Sequence, residues 1–252
     1  MAYEFVEIGE ASAPSQPLTP DEGFTFNGFN SMEQWWLTER SAPSPDEQKI
    51  TEQVPYSQGE LDFSMLGGER FFDMREITYK LLLYDRDYNH RKGYEQELKR
   101  ELMQYGFNRL QDTHDSAYYW WAKCMSVEVD DSSEDYSVEA TVKFKAYPFA
   151  YTNHDEGADY WDDVVFTHWI WQDVKFTVNG DRAVTVQNIG SRPVLSSFVV
   201  SGSVMVKIGS TSLALTGDNY QGKEIVMEMG TNTFNLSGNG TIEFKFKREE
   251  LI

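Results

Sequence analysis

The feature that most constrains the fold is a series of short apolar runs, separated by glycine-containing turn signals, in the second half of the 252-residue chain. The runs are of similar length and the turn signals recur at regular spacing, which is typical of antiparallel β-sandwiches and barrels. The runs are Val184–Val186, Leu195–Val200, Val204–Ile208, Leu213–Leu215, Ile225–Met229, Thr233–Leu236 and Thr241–Phe246. This pattern predicts two packed antiparallel sheets of a jelly-roll kind.

An extended hairpin is predicted around a glycine pair in the first half of the chain. Leu61, Phe63 and Met65 alternate with polar residues, as one face of a strand does. The glycines at 67–68 suit a tight turn, because a residue without a Cβ accepts positive φ angles. A second extended run covers residues 70–84. We expect the two runs to pair across the glycine turn.

One helix is predicted, at about residues 91–105. Tyr94, Leu98 and Leu102 recur every four residues and give one apolar stripe. Gly106 follows at the position where helices commonly take a left-handed residue. We interpret this segment as an amphipathic helix that packs on a sheet. The chain is therefore predicted to be mainly β with one clear helix.

Proline content and charge divide the chain into four predicted segments. Residues 1–23 contain three prolines, which oppose a helix, so they are predicted to form an N-terminal arm. Residues 24–150 are predicted to form a β-sandwich-like domain that includes the helix. Residues 151–163 are acidic and lack apolar periodicity, so we interpret them as a linker. Residues 164–252 are predicted to form the second β-sandwich.

Composition excludes several classes of function. The formal net charge is −19, and phosphate contacts need a surplus of lysine and arginine, so sequence-specific nucleic acid binding is not expected. The single cysteine, Cys124, excludes an intrachain disulfide framework and a multi-cysteine metal site. No apolar run approaches the length of a membrane span and the first residues lack the pattern of a secretory signal, so no membrane partner is expected.

The motifs that could support catalysis or bind a cofactor are weak. The four histidines are not at metal-ligand spacing. Residues 217–224 nearly match a phosphate-binding loop, but Glu224 replaces the required hydroxyl residue. Carboxylates cluster between residues 155 and 163, where calcium binding is an alternative to a solvated linker. We favour the linker, and we predict no catalytic residue, no metal site, no cofactor and no enzymatic activity.

Aromatic residues are the other candidates for function. Adjacent residues of a strand point to opposite faces, so one member of each tryptophan pair is expected to meet another subunit. The candidate interface residues are Trp35, Trp36, Phe71, Phe72, Trp120 and Trp121. A sugar-stacking platform is a second hypothesis, although we favour core or interface packing for its members. Those members are Trp161, Trp169 and Trp171.

Several segments, taken in order, resemble the distal tail protein (Dit) family of long-tailed bacteriophages, the siphophages. The segments are FTFNGF from Phe24, VPYSQGELDFS from Val54, REITYKLLLY up to Tyr84, KFKAYP up to Pro148 and VQNIGSRPV from Val186. The last segment looks like the start of the family's galectin-like C-terminal domain, and the Gly-Asn-Gly at 238–240 looks like its closing hairpin. The resemblance covers residues 24–250.

The chain departs from the family pattern at its start. Family members begin almost at once with the F-x-F-N-G strand, whereas 23 residues precede Phe24 in this chain. We interpret these residues as an addition that contacts a neighbour. The second half carries no long insertion, so the inserted carbohydrate-binding module of some relatives is not expected.

The resemblance implies a structural virion protein that sits at the phage tail tip after synthesis in the cytoplasm of a bacterial host. Six copies would form a ring through the domain of residues 24–150, with a hairpin that embraces the next subunit, and DNA would pass through the lumen. The ring would join the tail tube protein to the tail-associated hub protein, and the galectin-like domain of residues 164–252 would project outward, where some relatives hold receptor-binding proteins. The alternative function is a carbohydrate-binding or adhesion module in the C-terminal β-sandwich.

Overall fold

The structure is a computed structural model that describes residues 20–65, 68–157 and 169–252, without the side chains of residues 218–223. Within these residues the chain is mainly β, with one α-helix (α1, Tyr88–Met103) and a short 3-10 helix at Ser31–Glu33. The strands are β1 Phe24–Phe26, β2 Phe29–Asn30, β3 Trp36–Ser41, β4 Thr51–Glu52, β5 Leu61–Asp62, β6 Arg75–Tyr84, β7 Asn108–Asp112, β8 Tyr118–Ser132, β9 Ser137–Ala146, β10 Ala150–Thr152, β11 Lys175–Asn179, β12 Arg182–Asn188, β13 Val194–Ile208, β14 Thr211–Met227, β15 Gly230–Lys245 and β16 Glu249–Glu250. The predicted fold class, mainly β with one helix, is confirmed.

The first domain is one strongly curled antiparallel sheet. Its strand order is β2-β1-β7-β8-β9-β6-β3, and β10 and β16 extend it beside the first residues of β8. The rings of Phe24 on β1 and Tyr79 on β6 stack with their centroids 4.5 Å apart. These strands are four positions apart, which would separate them by about 19 Å in a flat sheet. The sheet therefore curls around a core in which both rings also contact Phe144.

Local sequence explains how this sheet starts. Asn27 and Gly28 both have positive φ angles, 47° and 90°, which is the geometry of a two-residue type I′ turn. The turn pairs Phe26 with Phe29 across the β1–β2 hairpin. Phe24 and Phe26 then both point into the core, because alternate residues of a strand share a face. The FTFNGF segment is thus a strand and a turn, as predicted.

The helix begins three residues earlier than predicted. The carboxylate of Asp87 accepts a hydrogen bond of 2.8 Å from the backbone N–H of Asn89, so Asp87 caps the first turn. Leu98 and Leu102 are fully buried in the first core, against the sheet that contains β8 and β9. Helix α1 therefore closes one side of the curled sheet, with the apolar stripe that the sequence predicted.

The predicted hairpin across the glycines at 67–68 is wrong. Strand β5 pairs with β4, and β6 begins only at Arg75 and pairs with β3 and β9. Residues 71–73 run instead beside 46–48, where Gln48 N–H donates to Phe71 O and Asp73 N–H donates to Asp46 O, both at 2.8 Å. Alternation shows which residues are extended, but it does not identify the partner of an extended segment.

The second domain is a sandwich made from one bent sheet. Strands β13, β14 and β15 have 15, 17 and 16 residues, and they form a five-stranded sheet with β11 and β12. Phe234 and Phe244 are ten residues apart on β15, yet their ring centroids are 4.8 Å apart. A straight strand would separate them by about 33 Å. Strand β15 therefore bends so that its halves face each other across the second core.

Three glycines in register form the line along which this sheet bends. Gly202 on β13 pairs with Gly217 on β14 and with Gly240 on β15. A Cβ on Gly240 would lie 2.1 Å from the carbonyl oxygen of Ser201, which is closer than any real contact. Glycine is therefore required where the strands approach so closely. The turns expected between the runs Leu195–Val200 and Val204–Ile208, between Leu213–Leu215 and Ile225–Met229, and at residues 238–240 are therefore wrong, since these glycines are bends inside continuous strands. The galectin-like character of the domain stays a prediction.

We expect the Gly238→Ala variant to lose far more stability in its second domain than the Gly230→Ala variant. Both glycines lie on β15 with positive φ angles, 117° and 83°, so an alanine at either position costs about 1–2 kcal/mol of backbone strain. Only at Gly238 would the new Cβ also clash, at 2.3 Å from the Ser203 carbonyl oxygen, whereas nothing lies within 4 Å at Gly230. Thermal unfolding followed by circular dichroism tests this, and equal losses in the two variants would contradict a requirement for glycine where Gly238 approaches the Ser203 carbonyl.

The predicted linker at 151–163 is wrong for residues 151–157. Strand β10 pairs with β8 on one side and with β16 on the other, so the chain returns to the first sheet after the second core. Further along, Glu156 N–H donates to Phe246 O at 2.8 Å. The polar composition of these residues suggested a solvated segment. The prediction failed because the residues that they pair with are about ninety positions away in sequence, where a local pattern does not show them. Residues 158–163 lie outside the described residues, so the other predicted domain limits stay predictions.

Candidate functional site

Residues 46–65 and 68–73 lie outside the first sheet, with β4 and β5 as a separate two-stranded sheet, and we call them the exposed arm. Its apolar side chains are largely exposed, with exposed fractions from 37% at Phe63 to 59% at Ile50, and Tyr56 is fully exposed. The exposed apolar residues are Ile50, Val54, Tyr56, Leu61, Phe63, Met65 and Phe71. So many exposed apolar side chains on one segment are typical of an interaction site.

The base of the exposed arm is fixed by polar contacts. The guanidinium of Arg70 donates two hydrogen bonds to the carboxylate of Glu47, at 2.9 and 2.6 Å. The same ion pair lowers the pKa of Glu47. Ser64 is buried, and its hydroxyl accepts a 2.9 Å hydrogen bond from Ile50 N–H. These contacts set the direction of the arm, whereas the two-residue strands β4 and β5 have too little core to be stable alone.

The arm is acidic as well as apolar. Its sequence contains seven carboxylates and only two basic residues, Lys49 and Arg70. A partner surface that covers the arm should therefore offer basic groups beside apolar ones, because a buried charge needs a counter-charge.

A surface with this composition lies on the outer face of the first sheet, and we call it the lysine face. Its residues are Lys80, Lys123, Lys143, Lys145 and Trp121. Lys123 on β8 stands directly opposite Lys145 on β9, which is unfavourable for two like charges. Carboxylates of the described residues lie among these lysines: Glu39 is 2.5 Å from Lys80, Glu128 is 3.9 Å from Lys143, and Glu76 on β6 stands opposite Lys145 in register. The face therefore presents lysines and carboxylates beside an exposed tryptophan.

The six predicted interface residues differ in how exposed they are in the structure. Trp35 and Trp120 are 1% and 0% exposed in the first core, so an interface role for these two is wrong. Trp120 faces inward because alternate residues of β8 share one face, whereas Trp35 lies just before β3. The prediction could not tell which member of each pair points out. Trp121 is exposed and Trp36 is half-buried, so both stay candidates. Phe71 and Phe72 lie at the base of the exposed arm, where Phe72 packs on Phe149.

The predicted sugar platform gains no geometric support. Trp161 lies outside the described residues. Trp169 is partly buried, and the guanidinium of Arg248 lies 5.2 Å from its ring centroid. Trp171 is exposed. One ring face of Trp169 is therefore used inside the chain, and a platform of three aligned rings stays a hypothesis.

Sequence reasoning missed a buried ionic contact that joins the two domains, which we call the clasp (residues 150–156 with 246–250). The guanidinium of Arg248 lies 3.0 Å from the carboxylate of Glu156, and both side chains are at most 3% exposed. Arg248 also donates to Glu250 at 3.1 Å. Burial raises the pKa of Glu156, because desolvation of its carboxylate outweighs the attraction of Arg248. No sequence pattern indicates this contact, because its distinguishing feature is the burial of both charges and burial is seen only in the structure.

Tyrosine rings continue the contact between the domains. Tyr119 stacks on Tyr151 at 5.4 Å between centroids, and Tyr151 stacks on Tyr147 at 5.8 Å. Arg192 of the second domain donates to the hydroxyl of Tyr147 and lies 3.4 Å from the carboxylate of Glu249. Burial raises the pKa of both Tyr147 and Glu249. The domains are thus held together by several partly buried groups.

No group of residues in the described ranges is arranged for metal binding: three or more histidine, cysteine, aspartate or glutamate side chains do not converge there. Among the same residues, no helix combines the length and apolar composition that a membrane crossing needs. Cys124 is buried, and burial raises the pKa of its thiol to about 11. The thiol is therefore protonated near neutral pH and unsuited to act as a nucleophile.

The fold and these surfaces define a mainly β protein with two cores and an exposed apolar arm. Its fold is similar to that of the Dit protein of phage SPP1, described as a paradigm of the hub adsorption apparatus of phages that infect Gram-positive bacteria. The TM-score is 0.65 at 12% identity, over 90% of this chain and 98% of that one. The resemblance seen in the sequence is thereby confirmed at the level of the fold.

A second solved structure is similar over most of the chain. The baseplate of phage P2, in its activated conformation with Ca, matches with a TM-score of 0.44 at 10% identity, over 85% of this chain and 90% of that one. Neither a family model nor a curated protein sequence matches the chain.

Proposed function

We propose that this protein is a structural component of a phage tail tip, of the distal tail type, and that it has no enzymatic activity. The observation that supports this role most strongly is the fold, which is shared with SPP1 Dit over nearly the whole of both chains. The exposed arm adds a physical reason for assembly, because a monomer would leave its apolar side chains in water.

The proposed assembly is a ring of six copies formed by the first domain. In this ring the exposed arm of one copy lies on the lysine face of the next. The arm's carboxylates would neutralise the lysines, and Trp121 would pack against apolar residues such as Leu61 and Phe63. The contact is heterologous, from one patch to a different patch, and such contacts generate rings when the rotation closes.

The proposed ring joins the tail tube protein on one face to the tail-associated hub protein on the other. Its second domains point outward, where they are available to receptor-binding proteins. The lumen passes the genome, and a chain with a net charge of −19 has little tendency to retain a polyanion. The protein would act at the tip of the virion after synthesis in the bacterial cytoplasm. The carbohydrate-binding alternative has no specific observation in its favour.

Electron microscopy of the purified protein in negative stain tests this function. We expect closed rings with a central channel, and we expect them to stack on the tail tube protein of the same phage when the two are mixed. Uniform single particles of monomer size, with and without the tail tube protein, would contradict the proposal.

A further inference from the structure

An apolar groove adjoins the lysine face. It has a volume of about 500 Å³, and Tyr147 lines one side of it. The backbone N–H of Tyr147 donates to Trp121 O at 2.9 Å, which continues the pairing of β9 with β8 by one residue. Tyr147 therefore follows Lys145 on the same face, since alternate residues of a strand share a face. The other walls of the groove include Phe71, Phe149, Pro193 and Met229.

The lining of the groove favours an uncharged occupant over an acidic one. Arg70 and Arg192 line it, but their guanidiniums are already paired, with Glu47 at 2.6 Å and with Glu249 at 3.4 Å. The remaining charged residue of the lining is Glu69. An acidic occupant would therefore lose water at apolar walls and meet a carboxylate in place of an unpaired cation.

The tip of the exposed arm has a matching composition. Residues 53–59, with the sequence QVPYSQG, contain no charged side chain, whereas Glu52 and Glu60 flank them. The side chains of Val54 and Tyr56 are exposed, and that of Tyr56 fully so. The charged strands of the arm thus match the lysine face, and its uncharged tip matches the groove beside that face.

Tyr56 occupies a turn position that favours glycine. The backbone N–H of Ser57 donates to Val54 O at 3.1 Å and closes a four-residue turn, in which Pro55 is second and Tyr56 third. The φ angle of Tyr56 is 66°. Proline at the second position and a positive φ at the third are typical of a type II turn, whose third residue is usually glycine. A tyrosine there strains the backbone and leaves a large ring in water, which indicates a contact outside the chain.

Distances along the arm agree with distances along the partner surface. In the proposed ring, Leu61 of one copy packs against Trp121 of the next. Tyr56 precedes Leu61 by five residues, which span at most about 17 Å. Phe149 in the groove follows Tyr147, the neighbour of Trp121, by two residues, or about 7 Å. Tyr56 can therefore reach the groove while Leu61 stays on Trp121.

We propose that Tyr56 of one copy inserts into this groove of the next copy and anchors the contact between them. The inference rests on the proposed ring, and it names the side chain and the site that make the contact specific. The ring of Tyr56 lies among Phe71, Tyr147 and Phe149, with its hydroxyl at the rim in water. Buried aromatic anchors of this kind commonly contribute most of the binding energy of an interface.

Tyr56→Gly tests the anchor with little risk to the fold. Glycine accepts the positive φ angle, so the turn is kept while the aromatic side chain is lost. We expect the concentration at which half of the protein is assembled to rise at least about tenfold, as measured by sedimentation velocity. Tyr136→Gly is the matched control, because Tyr136 is also an exposed tyrosine with a positive φ angle, 56°. Assembly of Tyr56→Gly at the wild-type concentration, or an equal loss in the control, would overturn the proposal.

Engineered cysteines locate the contact in the full chain. We expect Tyr56→Cys with Met229→Cys to form disulfides between copies, seen as a ladder on a non-reducing gel. The ladder should form at least about tenfold faster than with Tyr56→Cys and Met205→Cys. Met205 is exposed like Met229, but its register partner Ser237 follows Met229 by eight residues, roughly 25 Å. The buried thiol of Cys124, whose pKa is raised to about 11, does not compete.

Two outcomes of the disulfide experiment separate this inference from the proposed function. A ring in native mass spectrometry without the ladder, or with equal rates for the two cysteine pairs, would overturn the insertion of Tyr56 and leave the ring in place. A strict monomer of the wild-type protein would overturn both.

Discussion

Leu61→Asp is expected to abolish ring formation without loss of the fold. Leu61 is exposed on the arm of the isolated chain, so an aspartate costs little in the monomer. In the ring its side chain is expected to be covered by the next copy, where a carboxylate would be buried beside apolar groups. We expect each contact to weaken by about 3 kcal/mol, or roughly a hundredfold, which removes the ring at micromolar concentration. Light scattering coupled to size exclusion measures the result.

Leu195→Asp is the matched control for this experiment. Leu195 is 58% exposed and Leu61 is 51% exposed, and both lie on strands, but Leu195 belongs to the second domain. The control should therefore leave the ring intact and should show the same circular dichroism as the wild type. If both variants assemble normally, the exposed arm is not the contact that closes the ring.

Arg248→Met is expected to be the most destabilising single change in the clasp. The methionine keeps much of the apolar volume, but Glu156 loses the cation beside it while it stays buried. Removing one partner of a buried ion pair commonly costs about 3–5 kcal/mol. For a chain of this size, such a loss corresponds to a decrease in Tm of roughly 10 °C. Differential scanning fluorimetry gives the value directly.

Arg100→Met is the control for the clasp variant. Arg100 also forms an ion pair, with Glu101 at 3.1 Å, but its side chain is 68% exposed. Exposed pairs contribute little because water and salt screen them, so its Tm should stay within about 2 °C of the wild type. A loss in Arg248→Met no larger than in this control would mean that the clasp does not hold the domains together.

Most of the fold could be predicted from local sequence because alternation determines which residues face a core. Strand β9 and the FTFNGF hairpin show this. Val138, Ala140, Val142, Phe144 and Ala146 alternate with more exposed residues along β9 and are buried, and Phe24 and Phe26 are buried in the same way. The error at Gly202 and Gly217 has a physical basis. A glycine with positive φ serves equally in a turn or in a sharp bend of a continuous strand, and only the partner strands decide between them.

The surfaces that matter for assembly were only partly predictable. The sequence identified the pair Trp120 and Trp121 as candidates, but it did not show which of them is exposed. Packing in the curled sheet buries Trp120 and leaves Trp121 exposed. The clasp was missed because Glu156 and Arg248 are far apart in sequence and each looks like an ordinary surface residue. Strand pairing over long separations is set by the whole core, and a local pattern does not contain it.

Native mass spectrometry of the wild-type protein tests the central claim most directly. Six copies of the 29.1 kDa chain give a particle of about 175 kDa, and we expect this species to become dominant as the concentration rises. Addition of the tail tube protein should shift the equilibrium further toward the ring, because a partner that binds only the assembled form stabilises it. A mass of 29.1 kDa at every concentration, with and without the tail tube protein, would contradict the claim that this chain assembles into a ring.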